Sequence, residues 1–285
     1  ADVTIAALPV DEEQAAGFGI MRVSQQGLVE GFLEKPRTKA ELDLVRTEPA
    51  WLDSKGINSQ GRTCLASMGI YLFNRGTLVD LLEKTTYEDF GKEVFPACIR
   101  ARHVQTHLFD GYWEDIGTIK AFYDANLALA STQPPFSLDE AGFPIYTRPR
   151  FLPPTRIDGA TVTGSLIADG CQVQSGTVIE GSLIGLRCAI GRNVTIRQTV
   201  AMGADYFNTD PRASSGRADE PPLGIGDGTT IEGGIVDKNC RIGRNITIRV
   251  PAGTPDMTEF GPLIYRDGVI CVPRGTILPD NWKMT

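Results

Sequence analysis

The sequence predicts an α/β domain followed by a parallel β-helix of hexapeptide repeats, and three observations carry that prediction. Up to about Ser131 strand-like and helix-like apolar periods follow one another. From Pro134 to Pro154 prolines and aromatic rings crowd together. Beyond Ile157 an aliphatic residue returns every five or six positions, a period that suits neither a helix nor a flat strand. The 285 residues fit two domains at roughly 150 residues each. The expected division is 1–131 for the α/β part, 132–154 for the linker and 155–285 for the β-helix.

The first element is the strand-like run Val3-Thr4-Ile5-Ala6-Ala7-Leu8. A chain that opens inside an apolar strand without Met reads as a piece of something longer. Phe18 to Val23 and Leu28 to Leu33 follow as two strands joined by the polar turn Ser24-Gln25-Gln26-Gly27. Arg37 to Arg62, holding Pro49, Gly56 and Gly61, reads as a long excursion with short helices at most. Leu65 to Phe73 is the next strand, Gly76 to Lys84 and Phe90 to Ala101 are helices, and Val104 to Phe109 is a further strand. Thr118 caps a helix to about Ala130, where Ile119, Phe122, Tyr123, Leu127 and Ala130 recur at helical spacing.

The linker holds Pro134, Pro135, Pro144, Pro149, Pro153 and Pro154 among Phe136, Phe143, Tyr146 and Phe151. Proline offers no ladder donor and keeps its neighbour extended, so an extended tether packed by its rings is expected. In the last domain Ile157, Val162, Ile167, Val173, Ile179, Ile184, Ile190 and Ile196 set the repeat, and Ile225, Ile231, Val236, Ile242 and Ile248 resume it. Gly or Asn lies between, as in Ile190-Gly191-Arg192-Asn193 and Ile242-Gly243-Arg244-Asn245. Three such units per coil build a prism with the aliphatic residues stacked inward. The proline-bearing break from Ala201 to Leu223 is expected outside it.

Composition narrows the function. Lys plus Arg number 28 against 35 Asp plus Glu, a formal charge of −7 that disfavours nucleic acid as the main partner. At 41% hydrophobic and 22% charged residues the chain is globular, and no apolar run is long enough to span a bilayer as a helix. The six cysteines lie far apart without paired spacing, which suggests neither a zinc knuckle nor a disulfide scaffold. A reducing cytoplasm is the default expectation, or a plastid if the source is a plant.

Three stretches carry chemistry. In Phe32-Leu33-Glu34-Lys35-Pro36 the proline ends a strand, placing Glu34 and Lys35 at its carboxyl end, where open α/β sheets bind ligands. Lys is a mobile point charge suited to phosphate, and Glu accepts from sugar hydroxyls. Strand neighbours point to opposite faces, so the two share a ligand only if the strand bends before Pro36. In Ala66-Ser67-Met68-Gly69-Ile70-Tyr71-Leu72-Phe73, alternation puts Ala66, Met68, Ile70 and Leu72 on an expected core face. It leaves Ser67 and Gly69 opposite, with room and a hydroxyl for a ligand. In Tyr112-Trp113-Glu114-Asp115-Ile116-Gly117-Thr118, Asp115 precedes a helix start, where a carboxylate can hold Mg²⁺ or simply favour the helix dipole.

Taken together with Ala7-Leu8-Pro9-Val10, Gly17-Phe18-Gly19-Ile20-Met21, Leu152-Pro153-Pro154, Met202-Gly203-Ala204-Asp205 and Ile235-Val236-Asp237-Lys238-Asn239, these stretches resemble the ADP-glucose pyrophosphorylase family from Ala1 to the end. The resemblance implies a Rossmann-like nucleotidyltransferase domain, N-terminally incomplete here, and a left-handed hand for the β-helix. It implies transfer of adenylate from ATP to glucose 1-phosphate, with Mg²⁺ held by two aspartates and pyrophosphate released, for glycogen or starch synthesis. Carried over by motif, Lys35 would hold the sugar phosphate, Glu34 and Ser67 would contact the sugar, Gly19 would line the pocket, and Asp115 would be one metal aspartate. Lys238 matches a basic position used for anionic allosteric effectors, and Arg274 falls where many relatives carry lysine. A homotetramer is implied by the family.

The family's Gly-rich ATP loop and second metal aspartate precede the Ala-Leu-Pro-Val strand, so this chain is expected to carry the sugar-phosphate half of the site and to be inactive alone. Gly224-Ile225-Gly226-Asp227-Gly228 lies in the β-helix repeat with no helix after it, which unsuits it as a phosphate loop. A non-catalytic regulatory or assembly subunit is the alternative. A hexapeptide-repeat acyltransferase is a weaker one, since such enzymes rely on a histidine near the coils, whereas His103 and His107 both lie in the α/β part.

Overall fold

A computed structural model describes residues 1–213, 217 and 219–285, with the backbone alone at position 92. The chain divides into two compact units, Ala1–Trp113 and Glu114–Thr285.

The first unit is built on a five-stranded sheet: β1 (Val3–Val10), β2 (Gly19–Val23), β3 (Val29–Glu34), β4 (Cys64–Phe73) and β5 (Val104–Leu108), in the order β3-β2-β4-β1-β5. Only β1 and β5 run parallel; the other three junctions are antiparallel, so these five strands form a mixed sheet rather than the parallel layer of a Rossmann-like domain. A bridge from Leu28 to Gln105 ties the two edge strands at one end. One face is covered by Phe95 and Cys98 of the helix Phe95–Ala101 and by Trp51 and Leu52 of the helix Pro49–Ser54. The other face is covered only at one end, where Val10, Ala15, Ile20, Leu42, Val45, Cys64 and Ala66 cluster.

That uneven cover corrects the core assigned to β4. Alternation holds, but Ile70 and Leu72 are exposed, Leu72 by 71%, while Tyr71 and Phe73 pack on the core. The β1–β4 pairing slips between Ile5 and Ala7, and Gly69 there has φ +69°, a left-handed turn that suits glycine. Even-numbered residues are therefore buried before the irregularity and solvated after it.

The second unit is a three-sided parallel β-helix. One face stacks Val162, Ile179, Ile196, Ile231 and Ile248; a second stacks Ile167, Ile184, Ala201, Val236 and Val272; the third stacks Ile157, Val173, Ile190, Ile225, Ile242 and Leu278. Asn193 and Asn245, the last residues of the two Ile-Gly-Arg-Asn runs, turn corners at φ +52° and +55°. Ile157 is a correction: at the first coil it has a neighbour on one side only and remains 48% exposed. The prism also runs past Ile248. After an excursion and the hairpin Glu259–Phe260/Leu263–Arg266, Val269–Val272 and Ile277–Leu278 add to two faces. Ala201, expected in the break, belongs to the second stack; 202–213 and 219–223 leave the prism between coils, and 214–216 and 218 lie outside the described residues.

The helix Ile119–Leu129, capped by Thr118 whose Oγ1 accepts from the Ala121 amide at 3.1 Å, packs on the prism. Ile119, Phe122, Tyr123 and Leu127 meet Val200, Ile235 and Val269. Packing thus divides the chain after Trp113, earlier than the boundary at 131 read from the sequence. In the tether the rings are not packed as expected: Phe143 is exposed, Tyr146 is 92% exposed and Phe151 94%. Among the described residues no helix is long and apolar enough to cross a membrane.

Candidate sugar-phosphate and anion sites

The hairpin β2–β3 positions the first group of residues. Ser24 closes its turn, its Oγ accepting from the amides of Gln26 and Leu28. The register then pairs Gly19 with Glu34. A Cβ on Gly19 would collide with the Phe32 ring and lie 2.8 Å from Glu34 Oε2, so the missing side chain is what lets Glu34 fold over β2. Phe32 is held in turn by Phe95, ring centroids 5.1 Å apart and nearly perpendicular. Lys35 follows at φ +49°, its amide donating to Phe18 O at 2.9 Å. This left-handed residue is the bend before Pro36 that joint use of Glu34 and Lys35 requires.

Glu34 and Ser67 converge on Tyr71. Burial pushes the Tyr71 phenol up, its hydrogen bond with Ser67 opposes the rise, and the nearby Glu34 carboxylate adds to it. Ser67 Oγ also accepts from the Gly69 amide at 3.2 Å. Glu34 and Lys35 are exposed, and neither forms an ion pair among the described residues. Gly19 and Glu34 are therefore brought together, the pairing of Ile20 with Ala66 puts Ser67 on the neighbouring strand, and Lys35 is next in the chain on an open shelf. Sequence reasoning missed Tyr71 and Phe32, which earn their places through contacts between strands.

Asp115 lies apart. Trp113 stacks against Phe18 at 5.5 Å and Asp110 pairs with Arg62 at 2.7 Å, anchoring the chain after β5 to the first unit. Asp115 belongs to the second unit, exposed, with its carboxylate near Gly117. Among the described residues no group of three or more His, Cys, Asp or Glu is arranged to hold a metal. The glycine-dense stretch 224–228 is a strand and turn of the prism, as its repeat spacing indicated.

Lys238 and Arg274 are joined through one carboxylate. Asp205 Oδ1 lies 3.3 Å from Lys238 Nζ, and its Oδ2 lies 2.6 Å from Arg274 Nη2. A cavity of about 720 Å³ opens beside them, lined by Arg148, Arg150, Arg187, Arg212, Lys238 and Asp205. Arg148, Arg150 and Arg187 have no acidic partner among the described residues, whereas Arg212 pairs with Asp210 at 2.7 Å. The sequence signal for Asp205 was its Met-Gly-Ala-Asp block; its pairing with two distant cations was not readable there.

With this geometry in view, two family models match the chain: Nucleotidyl transferase over residues 1–132, and GLGC left-handed parallel beta-helix domain over residues 150–282. The chain joins a nucleotidyl transferase domain to a left-handed β-helix domain. That pairing supports a sugar-nucleotide transferase, and the two matches fit the ADP-glucose pyrophosphorylase family. The stacks along the prism are those that the second match requires. The first match ends at 132 whereas packing divides the chain after Trp113, so the helix Ile119–Leu129 falls within the first match and packs with the second unit.

Proposed function

We propose that this chain supplies the sugar-phosphate side of an adenylyl transfer that converts ATP and glucose 1-phosphate to ADP-glucose and pyrophosphate. In that reaction a phosphate oxygen of the sugar attacks the α-phosphorus of ATP; the new O–P bond forms as the bond to pyrophosphate breaks. Lys35 pairs with the sugar phosphate, Glu34 and Ser67 accept and donate to the sugar hydroxyls, and the bare Gly19 backbone leaves space for the ring. Positioning and charge neutralisation, rather than proton transfer, supply the catalysis.

The observation that supports this reading is the gap at Gly19, over which the Glu34 carboxylate lies at the strand end where Lys35 bends away. Asp115 suits one carboxylate contact to Mg²⁺, because it is exposed and outside any ion pair among the described residues; magnesium needs only one or two protein carboxylates when phosphates and water complete its shell. Bound there, the ion would neutralise phosphate charge. Lys238 and Arg274 form, with the neighbouring arginines, a site for an anionic effector. A tetramer is part of the same proposal by family analogy alone.

The test is calorimetric titration of the chain with glucose 1-phosphate. Lys35→Gln is expected to weaken binding about tenfold or more, the worth of a charge-assisted phosphate contact, with Arg22→Gln as a control on the same hairpin. Equal affinity in the wild-type and Lys35→Gln chains would sink the assignment.

A further inference from the structure

Asp205 occupies an unusual place for a carboxylate, inside a cavity whose other charged walls are mostly cationic. It is fixed from behind by a two-way clamp: Asn239 Nδ2 donates to Oδ2 at 2.9 Å, and the Asp205 amide donates to Asn239 Oδ1 at 2.8 Å. Asn239 itself sits at φ +62°, at the corner between the prism strands Gly234–Val236 and Arg241–Ile242. The clamp aims one carboxylate oxygen at Lys238 and the other at Arg274, side chains from successive coils. Arg148, Arg150 and Arg187 on the same cavity have no acidic partner among the described residues.

A carboxylate bridging two cations makes the contacts that a phosphoryl or carboxylate ligand would make. We propose that Asp205 is a tethered counter-ion, which an incoming phosphate-bearing anion must displace from Lys238 and Arg274 in order to bind. The inference rests on the anion-site reading given above. In the empty site Asp205 relieves repulsion among the cations; in the filled site it is a like charge beside the ligand and lowers affinity. One residue thus sets the concentration at which the site fills, and the arginines with no acidic partner among the described residues select for a ligand carrying more than one negative charge.

The experiment is titration of the intact 285-residue chain with inorganic phosphate at constant ionic strength, in wild-type, Asp205→Asn, Lys238→Gln and doubly substituted forms. Asparagine keeps the shape and can still accept from Asn239. Asp205→Asn is expected to bind phosphate about fivefold more tightly, the scale of one partly exposed charge pair, and Lys238→Gln to bind it more weakly. Weaker or unchanged binding in Asp205→Asn, while Lys238→Gln still loses affinity, would overturn the counter-ion role and leave the anion site standing. Failure of both wild-type and Asp205→Asn chains to bind, or indifference to Lys238→Gln, would overturn the anion site itself. A readout without substitution guards against a misfolded variant: phosphate should shift the Asp205 carboxylate carbon resonance and raise the pH midpoint of its titration as the cations leave it. A resonance that phosphate does not move contradicts the displacement.

Discussion

Gly19 and Asp205 illustrate how single positions acquire meaning from partners far away in sequence. At Gly19 the cost of any side chain is set by Phe32, whose ring cannot retreat because Phe95 stands edge-on behind it. Gly19→Ala is therefore expected to destabilise the first unit by about 1–3 kcal/mol, the usual penalty of overpacking, and to displace Glu34. Urea unfolding followed by Trp fluorescence would measure it; an unchanged midpoint would mean that the ring has room to move. At Asp205 the Asn239 hydrogen bond, with help from Lys238 and Arg274, holds the carboxyl below its ordinary range. A lowered carboxyl stabilises the native chain above its unfolded value, and that contribution is lost as pH falls through the folded one. The Glu34-Lys35-Pro36 stretch and Ser67 could be singled out locally, the first by the proline that ends its strand and the second by Gly69 two positions on along the same face. Tyr71 and Asp205 were not, since strand pairing and coil stacking bring their partners to them.

The β-helix was the most legible element, because the interior of a narrow prism accepts little but aliphatic side chains and so writes its period into the sequence. Less legible were its polar corners. Thr229 is fully buried, yet its hydroxyl donates to Gly243 O at 2.9 Å and accepts from the Ile246 amide at 3.2 Å; Thr177 does the same one stretch earlier with Gly191 and Val194. Thr229→Val, nearly the same shape, should cost about 1–3 kcal/mol by stranding a buried amide and carbonyl. Ile231→Ala, which hollows a stack between Ile196 and Ile248, should cost about 2–5 kcal/mol. Denaturant melts of the two variants compare these directly, and a Thr229→Val chain as stable as wild type would show that the hydroxyl is dispensable. The same coils bury Cys171, Cys188 and Cys240, with burial pushing the Cys240 thiol up to about 11 and Cys188 further still. The long gaps between these cysteines in sequence are whole coils, not the spacing of a metal or disulfide motif.

On the scale of the whole molecule, the two units have separate cores and divide the proposed chemistry between them: Gly19, Glu34, Lys35 and Ser67 in the first, Asp115 and the anion cavity in the second. The helix Ile119–Leu129 could be read from its period and its Thr118 cap, but nothing in an apolar stripe says which surface it will cover. On the proposed reading, the ATP side of the reaction calls for a phosphate loop. A phosphate loop needs glycines that lead from a strand into a helix, so that backbone amides and the helix N-terminus face the phosphates. Gly224 to Gly228 lead from one prism strand into the next, with backbone of adjacent coils against Gly224 and Gly226 and the Asn245 side chain against Gly228. The 285-residue chain is therefore expected to bind glucose 1-phosphate weakly and to release no pyrophosphate when ATP and Mg²⁺ are added. Pyrophosphate release coupled to a colour reaction, run beside calorimetric titration with each substrate, separates the two statements. Robust turnover by this chain alone would mean that other residues cradle ATP, and would move the search to the cationic cavity around Arg148, Arg150 and Arg187. Binding of glucose 1-phosphate without turnover is the pattern that the residues on the β2–β3 shelf call for.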